Sequence, residues 1–236
     1  MYLSGKLLRI KRLYIELIQI TSRVVLNQTN TIEMVKYLER KDSAEFVRNE
    51  LEGSLLFSNR VGIQNYAAEI SSQHGKNFLE LGVYTGNSLR RISKIFFDIH
   101  EDANVAGIDS FQGLVENWSD TDSYRAFDMK GVKPKNLDNR IILYEGFVEQ
   151  KIADYKNQFS EQISLLHIDL DLYRPTKFSL EELREQCKSG THILFDDHHG
   201  YPGWKFGEYK ALNEVYSYQE YSYVAFGPHQ ALIRIN

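Results

Sequence analysis

The residues best suited to chemistry stand in five clusters, each at the end of a short apolar run. The first is Glu80-Leu81-Gly82-Val83-Tyr84-Thr85-Gly86-Asn87-Ser88. Gly82 and Gly86 permit a tight turn and close approach of the backbone to a ligand, although a plain turn explains them equally well. Neither G-x-G-x-x-G nor Gly-Lys-Ser/Thr occurs here, so the turn is neither a dinucleotide fingerprint nor a phosphate loop. Glu80 beside it suits a cationic or hydroxyl-bearing ligand better than a pyrophosphate, and Tyr84 and Ser88 join the same candidate set. The second cluster is Asp109-Ser110, where an acid closing a strand can accept hydrogen bonds from both hydroxyls of a ribose. The third, Glu145-Gly146-Phe147, offers backbone and an aromatic ring for a planar base, with ordinary core packing as the alternative for Phe147.

The fourth and fifth clusters have a different character: Ile168-Asp169-Leu170-Asp171 and Phe195-Asp196-Asp197-His198-His199. If their strands are neighbours, four carboxylates and two imidazoles meet at one rim. Such charge repels itself unless neutralised, and an all-oxygen ligand set favours Mg²⁺, Ca²⁺ or Mn²⁺. Asp169, Asp196 and Asp197 are the expected metal ligands. The structural alternative is helix capping, or pairing with Arg174, Lys177 or Lys205, and it is strongest for Asp171. His198 and His199 are candidates for a general base, because imidazole titrates near working pH; a surface pair is the plainer reading. The base falls first to His198, with Asp169 and Asp171 as rivals. His167 lies inside its strand and reads as a hydrogen-bonded core residue, and Cys187 takes no role.

The elements that must position these clusters are legible as a rhythm. Apolar runs at 77–81, 104–109, 140–144, 163–169 and 192–196 alternate with helical stretches at 88–100, 148–159, 177–187 and 207–218. Runs apolar on both faces belong to a parallel sheet covered by crossover helices. The end breaks the alternation: strands at 221–226 and 230–235 flank Gly227-Pro228, a turn too short for anything but an antiparallel hairpin. The expected fold is therefore α/β, a doubly wound, mostly parallel, seven-stranded sheet in which five strand–helix units end in that hairpin. Residues 116–139 form a long polar link suited to a lid or substrate loop. Residues 1–75 contain no proline and read as a helical extension to the domain over 76–236, with helices near 7–26, from Asn30-Thr31 to about 51, and over 59–72.

Composition narrows the class. The chain has 236 residues, 42% hydrophobic and 25% charged, which is ordinary for a globular protein. A net charge of −4 argues against a general nucleic-acid binder. One cysteine cannot form an internal disulfide, which points to a reducing compartment and a cytoplasmic protein. No run of about 18 apolar residues suggests a membrane span. The basic first helix suits an acidic membrane surface or, better, packing on the main domain or a second subunit, so a homo-oligomer formed through the N-terminal helices is expected.

Taken in order, Phe78-Leu79-Glu80-Leu81-Gly82-Val83-Tyr84-Thr85-Gly86, Gly107-Ile108-Asp109-Ser110-Phe111-Gln112-Gly113-Leu114, His167-Ile168-Asp169-Leu170-Asp171-Leu172-Tyr173 and Phe195-Asp196-Asp197 resemble the S-adenosylmethionine-dependent O-methyltransferases of the macrocin O-methyltransferase type. The resemblance covers about residues 60–235. It implies a class I methyltransferase (Rossmann-like) sheet, with S-adenosylmethionine held at the first three strands by Glu80, Gly82, Asp109 and Ser110. It also implies Mg²⁺ or another divalent cation held by Asp169, Asp196 and Asp197, and a sugar or small-metabolite hydroxyl as acceptor. His198 departs from the family, which usually carries an aromatic residue at that position. Two other readings compete: a metal-dependent nucleotide-sugar glycosyltransferase, with Asp169-Leu170-Asp171 as its metal pair, and a non-catalytic methyltransferase-like docking protein.

Overall fold

A computed structural model describes residues 30–118 and 123–236. The helix expected near 7–26, and the oligomer contact expected of it, lie outside the described residues. By its contacts the chain divides after Leu38, and residues 39–236 form one compact unit. That unit takes in more than the sheet region from residue 76 onward, because the helix at 60–72 packs on the sheet. Among the described residues no helix is long and apolar enough to cross a membrane.

The elements are α1 (Thr31–Asn49), β1 (Leu55–Leu56), α2 (Arg60–Ser72), β2 (Asn77–Leu81), α3 (Asn87–Ile99), β3 (Asn104–Asp109), β4 (Ile142–Glu145), α4 (Val148–Gln158), β5 (Leu165–Ile168), α5 (Tyr173–Glu182), β6 (His192–Phe195), α6 (Glu208–Val215), β7 (Tyr221–Phe226) and β8 (Ala231–Ile235). The eight strands form one sheet in the order β1-β7-β8-β6-β5-β2-β3-β4. Only β8 runs antiparallel to its neighbours, as the Gly227-Pro228 turn requires. This is the class I methyltransferase fold expected from the sequence, with a two-residue strand, β1, added at the edge. Among the described residues between β3 and β4 there is no regular helix, in keeping with the long polar link expected at 116–139.

Strand residues alternate between two cores, as the period of two demands. Leu79, Leu81, Leu166, Ile168, Ile193 and Phe195 join Leu180, Leu183, Ala211 and Leu212 of the α5–α6 side. Phe78, Val105, Leu165 and Leu194 pack instead with Ile63, Ala67, Leu89, Ile92 and Phe96 of α2 and α3. By the same alternation Glu80 and His167, Cα partners in adjacent strands, face the α2–α3 side. Two polar residues on a buried face need partners, because an unpaired polar group there costs about 1–3 kcal/mol. They find them in each other, in Ser88 of α3 and in Asp196. This choice shapes the site.

Candidate active site

The chain changes direction of winding between β2 and β5, where open α/β sheets bind ligands beyond their carboxyl ends. At that point the two backbones nearly touch. The Asp169 amide donates to the Leu81 carbonyl at 2.8 Å. A Cβ on Gly82 (φ +85°) would stand 1.8 Å from the Asp169 carbonyl oxygen, so only glycine fits. A cavity of about 700 Å³ opens here, within the range of small-molecule sites.

Asp109 shapes one side of the cavity. Its Oδ2 accepts the Val83 and Tyr84 amides at 2.7 and 2.6 Å, and its Oδ1 accepts the Phe111 amide at 2.6 Å. Three of roughly four acceptor positions on the carboxylate are thus used to fix the glycine turn. Tyr84 is held at φ +48°, a left-handed conformation that a tyrosine adopts only under such constraint. Gly82, Tyr84, Asp109, Ser110, Gly146 and Phe147 line the cavity. Glu80, Gly86, Ser88 and Glu145 do not. Glu80 is fully buried, accepting from Ser88 Oγ at 3.0 Å and paired with His167 Nδ1 at 3.0 Å, so both residues lie beneath the cavity. Gly86 starts α3, and Glu145 pairs with Lys133 at 2.7 Å.

The four aspartates line the opposite side. They assemble as two overlapping groups, His167–Asp169–Asp196 and Asp169–Asp171–Asp197, with Asp169 common to both. The expected trio of Asp169, Asp196 and Asp197 is therefore split. The reason is that Asp196 is drawn toward α2, with Oδ1 2.9 Å from Arg60 Nε, 3.4 Å from Gln64 Nε2 and 3.5 Å from His167 Nε2. Arg60 and Gln64 are one helical turn apart and so share a face of α2. Arg91 of α3 donates in turn to Gln64 Oε1.

Charge in this cluster is distributed unevenly. Burial opposes an imidazolium at His167, but hydrogen bonds to Asp196 and Glu80 outweigh it and push the ring up to about 10. Burial likewise opposes the Asp196 carboxylate, yet His167 and Arg60 hold it below the usual range. Asp171 is pushed up to about 6, chiefly by burial. Burial, then Asp171 and Glu208, raises Asp197 well above an ordinary carboxyl. Glu208, fully buried with Oε2 accepting the Asp197 amide at 3.0 Å, is raised too, first by burial.

His198 stands apart from the cavity. It is fully buried among Phe46, Phe195 and Tyr209, with Nε2 3.0 Å from the Tyr223 hydroxyl, and burial pushes its pKa well down. An imidazole enclosed in this way does not reach an acceptor. His199 is also buried, its Nε2 3.2 Å from the Gln230 carbonyl.

One finding decides the family. A family model described as a methyltransferase domain matches residues 79–198, just over half of the chain, and those residues carry every strand end that lines the cavity except the β7–β8 turn. The chain belongs to this methyltransferase family. Solved structures agree on the fold. CalS11, titled a calicheamicin methyltransferase, superposes with a TM-score of 0.61 at 20% identity, covering 88% of this chain and 94% of that one. The O-methyltransferase NovP gives 0.55 at 19%, covering 75% and 79%. An O-methyltransferase from Bacillus cereus, solved with S-adenosylhomocysteine, gives 0.51 at 13%, covering 92% and 96%. No curated protein sequence matches.

In this methyltransferase, sequence reasoning passed over Arg60, Glu208 and His229. Arg60 meets Asp169 across 109 positions of sequence, and nothing local marks that contact beyond its place just after the Asn59 helix cap. His229 sits in the β7–β8 turn and lines the cavity beside Gln230. Its Nδ1–H donates to the His199 carbonyl at 3.1 Å. The ring rests on Gly200, where a Cβ would come within 2.7 Å of Nδ1. The Gly-Pro turn was visible in the sequence, but its fold-back onto the strand ends was not.

Proposed function

We propose that the protein is an S-adenosylmethionine-dependent O-methyltransferase, assisted by a divalent cation, acting on a hydroxyl of a sugar or other small metabolite. The observation that carries this reading is one cavity with two unlike sides, the Asp109-braced glycine turn opposite four aspartates. Family membership supports methyl transfer. The macrocin-type motifs of the sequence support oxygen as the acceptor atom, as do the structural relatives, among them CalS11, a TDP-rhamnose 3'-O-methyltransferase with 21% identity.

The residues present fit both a sulfur nucleoside and a divalent cation. The turn at Gly82–Tyr84, Ser110 and the Gly146-Phe147 backbone would hold the nucleoside, with Asp109 as the acid nearest the ribose. Asp169, Asp171 and Asp197 form an all-carboxylate set that suits a hard cation. When bound, the donor supplies a methyl group on a positively charged sulfur, and the cation supplies charge that favours loss of the hydroxyl proton. The protein's own part is placement, which accounts for much of the rate in a two-substrate displacement.

A second cavity of about 290 Å³ shares Trp118, Asp171 and Leu172 with the first and adds Tyr201 and Phe206. It gives the acceptor a ring-lined space beside the acids. We assign the proton to His229, whose Nδ1–H is committed to a carbonyl, so Nε2 carries the free lone pair. Incubation with S-adenosylmethionine, Mg²⁺ and a panel of nucleotide-linked deoxyhexoses tests the function. S-adenosylhomocysteine should form together with a sugar heavier by one CH₂, and transfer to nitrogen or sulfur acceptors alone would contradict it.

A further inference from the structure

The four aspartates are served by two internal cations of opposite kind. His167 is fully buried, hydrogen-bonded through Nδ1 to Glu80 and with Nε2 3.5 Å from Asp196 Oδ1. Arg60 contacts the same cluster from the cavity wall, with its side chain about half exposed (49%). Its Nη2 lies 2.5 Å from Asp169 Oδ2 and its Nε 2.9 Å from Asp196 Oδ1, so one planar guanidinium bridges the two acids. These two carboxylates are its only ion-pair partners among the described residues. Asp169 is also the one residue common to both groups that could hold a metal.

We propose that Arg60 is a resident counter-cation of the metal site, holding Asp169 and Asp196 together until a divalent ion displaces it toward the cavity. The inference rests on the metal-assisted reading above. A cluster of acids beneath a partly apolar cavity needs positive charge whether or not a metal is present. A monovalent side chain with an open route to solvent meets that need without closing the site. A hard cation held by Asp169, Asp171 and Asp197 would bring twice the charge to Asp169 and so release the guanidinium. Arg60 thus sets how much divalent ion is needed to occupy the site, because only the fraction of molecules with Arg60 displaced is competent to bind. Gln64, still hydrogen-bonded to Asp196, keeps that carboxylate oriented when the arginine leaves.

The test uses the chelator-treated full chain and Mn²⁺ as the probe. Free Mn²⁺, followed by electron paramagnetic resonance, should be bound about five- to fiftyfold more tightly by Arg60→Gln than by the unaltered protein, as removal of a self-competing state predicts. Arg60→Lys, which keeps the charge but cannot bridge both acids, should fall between them. In the unaltered protein, phenylglyoxal labelling of Arg60, read by peptide mass spectrometry, should rise several-fold on adding Mn²⁺. This second measurement needs no variant to fold. Equal or weaker Mn²⁺ binding by Arg60→Gln, with Arg60 labelling unchanged or reduced by the metal, overturns the inference and leaves the metal site standing. Absence of Mn²⁺ binding in every protein overturns the metal site and the inference together.

Discussion

His167 Nδ1 lies 3.0 Å from Glu80 Oε2, in a fully buried pair that ties the two strands between which the sheet changes its winding. The pair sits below the cavity, and its role is to hold the Glu80 end of the glycine turn and, through the other ring nitrogen, Asp196. Removing one member of a buried ion pair costs about 3–5 kcal/mol, because the other is left uncompensated. In a chain of this size that is about 6–20 °C of thermal midpoint. Glu80→Gln should show such a loss in calorimetric melting, and an unchanged midpoint would remove the pair from the account.

Asp109 should matter to donor binding more through the turn it braces than through contact alone. Three charge-assisted amide bonds end on it, each of about 1.5–3 kcal/mol. Asp109→Ala should weaken S-adenosylhomocysteine binding at least about tenfold, since 1.4 kcal/mol corresponds to that factor. Titration calorimetry reads this directly. Affinity equal to that of the unaltered protein would place the nucleoside elsewhere.

The base assignment makes a separable claim. His229→Asn keeps a donor for the His199 carbonyl but has no basic ring nitrogen. With an acceptor substrate in hand, its kcat should fall about 10²–10⁴-fold, while S-adenosylhomocysteine affinity stays as it was. Added imidazole should restore part of the rate. His198→Phe, which restores the aromatic residue usual at that position, should leave kcat within a small factor. If instead His198→Phe abolishes turnover and His229→Asn does not, the two roles are reversed.

How much of this was legible in the sequence follows from the range of the interactions involved. The strands β2, β3 and β7 begin and end at the residues that the apolar runs indicated; β2 is buried along its whole length, whereas β7 leaves Ser222 exposed. Helix α5 starts at Tyr173, four residues before its expected start at Lys177, since Pro175 falls within its first turn, where a proline is tolerated. The clustering of Asp169, Asp171, Asp196 and Asp197 followed from strand adjacency alone. What adjacency could not supply was direction. Glu80 faces the α2–α3 layer, where Ser88 and His167 hold it away from the cavity, while Asp196 stays on the cavity wall and is drawn toward Arg60. His198 reads as a base in sequence because an imidazole titrates near working pH, but the chain carries it back into the aromatic core.

His192 offers a check on the fold away from the site. It is buried, and desolvation, reinforced by His74 and Arg234, lowers it to about 4. A histidine depressed on folding costs nothing at neutral pH. As pH falls from about 6.5 toward 4 the unfolded chain takes up the proton and the folded one does not, so stability is lost across that window. His192→Gln should therefore lose less stability than the unaltered protein between pH 6.5 and 4, by up to roughly 3 kcal/mol. Urea unfolding at stepped pH gives the comparison, and parallel curves would contradict the depressed pKa.

The central claim is that the cavity beyond β2 and β3 binds a sulfur nucleoside. Its most direct test is calorimetric titration of the chelator-treated protein with S-adenosylhomocysteine, with and without Mg²⁺, beside a UDP-sugar. The account predicts micromolar binding of S-adenosylhomocysteine in both conditions, because the aspartates lie on the acceptor side and Asp109 braces the donor side without them. It predicts no comparable heat from the UDP-sugar in the absence of Mg²⁺. Metal-dependent binding of the UDP-sugar with no response to S-adenosylhomocysteine would contradict the account and indicate glycosyl transfer.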